Sequence, residues 1–272
     1  MKSSSQIKIE DLENFCPRHI FCCGQVFRFR EVDGGYEIYS KDKRAVVFNE
    51  KILCDDIKYW HNYFDLSKNY DIIIDKLKGF SFLDGALTFG KGLRILRQDK
   101  FETIISFLIS QNNNISRIKR IIERLCVGYG EEMDGFFAFP TAKKLSSVRE
   151  TDLLSLGLGY RAPYILDTAR AIESGFDIDG IDKLSEDEAA AKLMTLKGIG
   201  PKVADCILLF GYHKMAVFPI DTWIFKAARD LFAIESGKIQ QVRERLISKF
   251  GNLSGYAQQY IYYYKRENKD KI

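Results

Sequence analysis

The feature that most constrains this chain is a change in the period of its apolar residues near position 99. Before it come short runs rich in β-branched and aromatic residues: QVFRFR (25–30), YEIYS (36–40), RAVVFN (44–49) and KILCD (51–55). Turn-forming residues separate them, which predicts a meandering antiparallel sheet. Asp33-Gly34-Gly35 suits a hairpin turn between the first two runs. Residues 59–78, with Tyr63, Phe64, Leu66, Ile72, Ile73, Ile74 and Leu77, predict helix.

After Asp99 the reading is helical. FETIISFLIS (101–110) predicts an apolar helix that stops at Gln111-Asn112-Asn113-Asn114. In 115–126, Ile115, Ile118, Ile121, Ile122 and Leu125 form one stripe, with Arg117, Lys119, Arg120 and Arg124 off it. Further helices are expected from Ala162-Pro163 to about Glu173 and over 185–194, where Ser185 and Glu188 have capping-box spacing. Others follow around 201–211, 222–232, 238–249 and 256–266, with a frayed tail. The expected class is α+β: an N-terminal antiparallel β-sheet domain with flanking helices over 1–98, then a larger all-α domain over 99–272.

Composition narrows the function. With 46% hydrophobic and 29% charged residues and no membrane-length apolar run, the chain reads as a soluble globular protein. Its first residues lack the apolar core of a signal peptide, so an intracellular protein is expected. A net charge of +4 permits a nucleic-acid partner without demanding one. Cys16, Cys22, Cys23, Cys54, Cys126 and Cys206 fit neither a zinc nor an iron–sulfur spacing. His19, His61 and His213 form no ligand pattern with carboxylates, so no metal and no other cofactor is expected.

The stretch LKGIGPKVADCILLF (196–210) carries the chemistry. Helix, tight glycine turn and helix follow one another over 185–211. Such a turn exposes consecutive N–H groups beside a helix N-terminus, a ready phosphate site. On the turn alone, an ordinary helix hairpin is as good a reading. Lys202 stands where positive partial charge disfavours an ammonium, and a nucleophilic lysine must be neutral. The simpler role is a point charge for a phosphate. Asp221, in VFPIDTWIF, precedes the next expected helix and suits an N-cap; a cap is also a rigidly held carboxylate. Asp205, three residues beyond Lys202, is the rival carboxylate and better suits a core contact or an intrahelical pair.

With VFPID following, this stretch resembles the helix-hairpin-helix Gly/Pro…Asp superfamily of DNA glycosylases, and more narrowly its 8-oxoguanine glycosylases. CGQVFRF (23–29), LRQDKFETIISFLISQNNNISRI (96–118), LGLGYRAPYI (156–165) and GYAQQYIYY (255–263) extend the resemblance over almost the whole chain. It implies a base-excision repair glycosylase with lyase activity, probing double-stranded DNA that contains 8-oxoguanine, monomeric and away from membranes. The compartment implied is the cytoplasm of a prokaryote or the nucleus of a eukaryote, in association with DNA.

Residue by residue, the resemblance makes Lys202 the nucleophile at C1′ and Asp221 the group that stabilises the developing positive sugar and helps deprotonate the amine. Gly24, Phe27, Cys206, Gln258 and Tyr262 become the base pocket. Asn112 fills the vacated space, Arg117 and Arg161 read the orphaned cytosine, and Tyr160 wedges beside it. Gly198, Gly200 and Val203 become the phosphate-contacting hairpin. The departures are Trp223, where better-known eukaryotic relatives place a phosphate-contacting histidine, and Tyr262 in place of phenylalanine. The rivals are a relative with another lesion and a DNA-binding module that uses the hairpin only for phosphates. The first commonly carries a cysteine cluster near the C-terminus, or lacks the lysine; the second leaves the lysine–aspartate pair coincidental.

Overall fold

The computed structural model describes residues 5–221, 224–225, 228 and 238–268. Five strands, β1 (Ser5–Lys8), β2 (Phe29–Val32), β3 (Gly35–Ser40), β4 (Lys43–Val47) and β5 (Lys51–Cys54), form one antiparallel sheet in the order β1-β5-β4-β3-β2. Val32 pairs with Gly35 across the two-residue turn Asp33-Gly34, and Gly34 takes φ +70° there. Ile38, Ala45, Val47 and Ile52 pack with Ile20, Phe21, Trp60, Tyr63 and Phe64. The last five come from helices α1 (Pro17–Cys22) and α2 (Ile57–Tyr63) and from the residue after α2.

α3 (Tyr70–Lys78) and α4 (Asp84–Phe89) lead into the helical part. There follow α5 (Lys100–Ser110), α6 (Ile115–Tyr129), α7 (Ala142–Ser146), α8 (Glu150–Ser155), α9 (Ala162–Glu173), α10 (Glu186–Met194), α11 (Pro201–Gly211), α12 (Ile239–Phe250) and α13 (Ser254–Glu267). The capping box at α10 is formed: Ser185 Oγ accepts from Glu188 N, and Glu188 Oε2 accepts from Ser185 N at 2.9 Å. The second, larger core includes α5, α6, α9, α11 and α13, and it also takes Cys23, Phe27, Tyr70, Ile73, Leu77 and Leu87. Helices before residue 98 thus pack with those after it. No helix among the described residues is long and apolar enough to cross a membrane.

Three expectations are corrected. The first strand lies at 29–32 rather than 25–30, because Gln25 turns inward as a hydrogen-bond hub. Its Nε2 donates to the carbonyls of Ile20 (2.9 Å) and Arg94 (2.8 Å), while its Oε1 accepts from Leu96 N at 2.9 Å. The helix expected over 59–78 is two helices. Asp65, at φ +51°, breaks the chain between them and binds Arg97 Nε at 2.8 Å, and Asn69 caps α3. Strand β1 was not expected at all: four residues at a sheet edge carry too little alternation to be read. The helix expected at 222–232 and residue Trp223 lie outside the described residues, apart from positions 224, 225 and 228.

Candidate active site

Gly198 and Gly200 shape the turn into α11 in different ways. Gly198 takes φ +87°, and a Cβ there would lie 2.3 Å from Cδ2 of Tyr164, so both conformation and space require glycine. Gly200 caps α11 with ordinary angles, and nothing stands within 4 Å of where its Cβ would be. The turn is therefore open on that side, with the unpaired N–H groups of the first helical turn beside it. Val203 points its side chain into the core and leaves only its backbone to serve the turn.

Lys202, on the first turn of α11, faces a cavity of about 40 Å³ lined by Gly24, Phe107, Lys202, Cys206, Phe210, Pro219, Asp221, Gln258, Gln259 and Tyr262. Lys202 Nζ lies 5.9 Å from the Phe107 ring centre. Phe107 stacks on Phe210 at 5.5 Å, tying α5 to α11. Phe27, expected in the pocket, is not among its lining residues. It sits behind the wall, edge-on to Phe107 at 5.8 Å.

Lys202 is held as an ammonium, contrary to the expectation of a lysine already poised as an amine. Cys206, as thiolate, pushes its pKa up most, burial opposes this, and Tyr262 and Asp221 push up as well. Burial in turn raises the Cys206 thiol above its ordinary value. Near neutral pH the thiol is uncharged, and the carboxylate of Asp221 is the standing negative charge facing the lysine. No direct ion pair joins Lys202 to Asp221; their attraction acts across the cavity. Asp221 also caps the following turn, its Oδ1 accepting from Ile224 N at 2.7 Å. Asp205 takes no part: it is buried against α12, where Arg243 Nε and Nη2 bind its two oxygens at 2.6 and 2.8 Å.

The opposite wall is one face of α13. Gln258 donates from Nε2 to Pro219 O at 3.1 Å, and its Oε1 is buried without a partner. Tyr262 lies against Gly24: a Cβ added to that glycine, which takes φ +87°, would stand 3.3 Å from Tyr262 Cε1.

The residues implied for the opposite base gather at the far end of α5. Asn112, at φ +44°, donates from Nδ2 to Tyr160 Oη at 3.2 Å, and Tyr160 is 49% exposed. Arg117 is exposed and donates to Gly157 O at 3.2 Å. Arg161 is buried: its Nε donates to Gln111 O at 2.9 Å, its Nη1 to Leu158 O at 3.3 Å and its Nη2 to Asn112 O at 3.1 Å. In this state Arg161 braces the asparagine loop rather than presenting its guanidinium.

A model of the HhH-GPD superfamily of base excision DNA repair proteins matches residues 105–252, and one of the 8-oxoguanine DNA glycosylase N-terminal domain matches residues 7–104. The chain belongs to this superfamily. A probable N-glycosylase/DNA lyase of Methanothermobacter thermautotrophicus is 33% identical over 80% of this chain and 77% of its own length. The N-glycosylase/DNA lyase of Saccharomyces cerevisiae is 33% identical over 62% of this chain, which spans about half (55%) of that longer relative. The Clostridium acetobutylicum 8-oxoguanine glycosylase/lyase, solved with double-stranded DNA containing cytosine opposite 8-oxoG, is 37% identical. It matches with a TM-score of 0.91 over 99% of this chain and 97% of that one.

Two residues at this pocket escaped the reading of the sequence: Gln259, which lines it, and Arg266, which stands behind Gly24 and Tyr262. Gln259 donates from Nε2 to Cys23 O at 2.9 Å and so holds the turn that carries Gly24. Arg266, one turn beyond Tyr262, donates from Nη2 to Cys22 O and from Nε to Glu267 at 2.9 Å. Its Nη1 is buried without a partner. The spacing 258, 262, 266 along one helix face was the available signal.

Proposed function

We propose that Lys202 is the nucleophile, and Asp221 its charged partner, of a bifunctional DNA N-glycosylase/lyase that removes 8-oxoguanine from duplex DNA. The enzyme is a base-excision repair glycosylase with associated lyase activity. The observation that carries the residue assignment is that one small cavity gathers Lys202, Asp221 and an unpartnered buried acceptor, Gln258 Oε1.

The damaged base must leave the stack to reach Lys202. Because the cavity of the free protein holds only about 40 Å³, the Tyr262 ring must move off Gly24 to admit it. In the pocket, the carbonyl of Gly24 accepts from N7–H, which 8-oxoguanine has and guanine lacks. Gln258 Oε1 accepts from the donors of the Watson–Crick edge, and Cys206 and Tyr262 cover the two faces. The resting ammonium loses a proton to solvent by way of Asp221, which returns to the carboxylate before the base departs. The amine attacks C1′ while the C1′–N9 electron pair leaves with the base; the C1′–O4′ bond then opens, O4′ taking a proton shed by the attacking nitrogen, and a protonated Schiff base forms. β-Elimination then removes a C2′ proton to solvent and breaks the C3′–O bond, and the 3′ phosphate leaves. Asp221 stabilises the positive sugar as the base departs.

On the other strand, Asn112 fills the gap, Tyr160 wedges, and Arg117 and Arg161 read cytosine once Arg161 is freed from the loop carbonyls. The turn at Gly198, Gly200 and Val203 N–H takes a phosphate. The site of action is cellular DNA, in the cytoplasm of a prokaryote or the nucleus of a eukaryote, and the working unit is a monomer.

The test is borohydride trapping and nicking on duplexes with 8-oxoguanine opposite each of the four bases, with undamaged guanine as control. A covalent adduct that is absent in Lys202→Gln, and strongest opposite cytosine, is expected. Base release without an adduct would replace the lysine mechanism with attack by water. Folded protein that binds DNA but neither releases base nor nicks would sink the assignment in favour of a binding module.

A further inference from the structure

We propose that Arg266 is a further base-contacting residue: its free Nη1 donates to a carbonyl oxygen on the edge of the base that faces Gly24. It there stabilises the negative charge of the departing base. The proposal rests on the base-pocket reading above.

The guanidinium is held in place on one side and unused on the other. Nε and Nη2 engage Glu267 and the Cys22 carbonyl, whereas Nη1 is buried with no partner. That orphaned donor stands beside Gly24, a residue of the pocket lining: a Cβ placed on Gly24 would be 2.8 Å from it, with the Tyr262 ring alongside. The guanidinium carbon also lies 5.6 Å from the Tyr262 ring centre. A buried donor on a charged group without an acceptor is costly, so an acceptor brought in with a ligand is bound favourably there. In the pocket that Gly24 lines, Gln258 Oε1 is the complementary orphan, an acceptor without a donor.

The edge of 8-oxoguanine that presents N7–H to the Gly24 carbonyl carries a carbonyl oxygen on each side of it, O6 and O8. A donor next to Gly24 therefore meets one of them. As the C1′–N9 bond breaks, its electron pair passes onto the purine and delocalises onto those oxygens while Lys202 N–C1′ forms. A fixed cation with a free N–H aimed at such an oxygen acts on the charge that develops in the transition state. It has no part once the base has gone.

The last point supplies the test. Single-turnover excision of 8-oxoguanine opposite cytosine is compared with nicking of a duplex that already holds an abasic site, which needs Lys202 but has no base to expel. Arg266→Met should slow excision about 10- to 100-fold, the range expected for a hydrogen bond from a charged group, with nicking within about twofold of the parent. Arg266→Lys should recover much of the excision, although an ammonium cannot reproduce the fork to Cys22 and Glu267. Recovery therefore reports the charge, not the anchoring. Excision unchanged in Arg266→Met would overturn the proposal, as would excision and nicking falling together. Failure of the pocket reading is distinct: the unsubstituted protein would then neither excise nor nick.

Discussion

Asp221→Asn separates the two roles of one carboxylate. Structurally the side chain is an N-cap, with Oδ1 accepting from Ile224 N at 2.7 Å. Asparagine caps about as well as aspartate, so the exchange should change stability by only a few tenths of a kcal/mol, plus up to ~1 kcal/mol for the lost charge at a helix N-terminus. Chemically the loss is larger. Two unit charges about 4–6 Å apart at an effective dielectric constant of ~20 attract by about 3–4 kcal/mol. Because Asp221 already faces the Lys202 ammonium at rest, that attraction is an upper bound on what the transition state gains, and excision should slow by roughly 10- to 10³-fold. Asp221→Ala, which also removes the cap, should lose about 0.5–2 kcal/mol of stability and be no slower per folded molecule than Asp221→Asn. The assay pairs urea unfolding with single-turnover excision at saturating enzyme on 8-oxoguanine opposite cytosine. An asparagine variant within threefold of the parent rate would refute the charge argument, and a slow variant that is also largely unfolded would refute the separation of roles.

Other consequences are open to direct measurement. Gln258→Met removes an unpartnered buried oxygen together with one hydrogen bond; stability should stay within about 1 kcal/mol while excision falls about 10-fold or more, as read by denaturant titration and single-turnover rates. Gly198→Ala forces a Cβ at φ +87° against Tyr164 and should cost about 2–5 kcal/mol in urea unfolding. Arg243→Met strands the buried Asp205 carboxylate and should lose about 3–5 kcal/mol by the same measurement. Burial pushes His213 below its ordinary 6.5 despite its contact with Asp65. The unfolded chain therefore takes the proton first, so its contribution to stability is present above pH 6.5 and is lost as pH falls through the folded value. His213→Asn should flatten that part of a stability–pH curve.

The helical half was legible because its signals are local and redundant. Ser185 and Glu188 close a real capping box, Pro201 opens α11, and the apolar stripe of 115–125 is the buried face of α6. The sheet was less so: Gln25 behaves as a core hydrogen-bond hub within a run that alternates like a strand, and only the distant partners Ile20, Arg94 and Leu96 reveal it. At the site, the resemblance grouped Lys202, Cys206, Gln258 and Tyr262, and all four line one cavity. Spacing carries no information on protonation, which depends on who else lines the wall, so the ammonium state of Lys202 could not be foreseen. Nor does it show which way a long side chain folds: Arg161 turns inward onto Gln111 and Asn112, and Arg266 reaches back across more than two hundred positions to Cys22.

Helix α5 has a metrological consequence. Phe107 on its flank lines the cavity that holds Lys202, and Gln111–Asn112 at its end begin the loop proposed to meet the other strand. At 1.5 Å of rise per residue, the four residues from Phe107 to Gln111 span about 6 Å along the axis. That helix is a ruler, and its graduation is the rigid α-helical repeat rather than a loop that can stretch. Inserting or deleting one residue between those points would rotate one end by about 100° against the other and put the two gauges out of phase. Under the proposed function, loop lengths elsewhere can drift among descendants of this chain, whereas the length of this segment is a tolerance the duplex itself imposes.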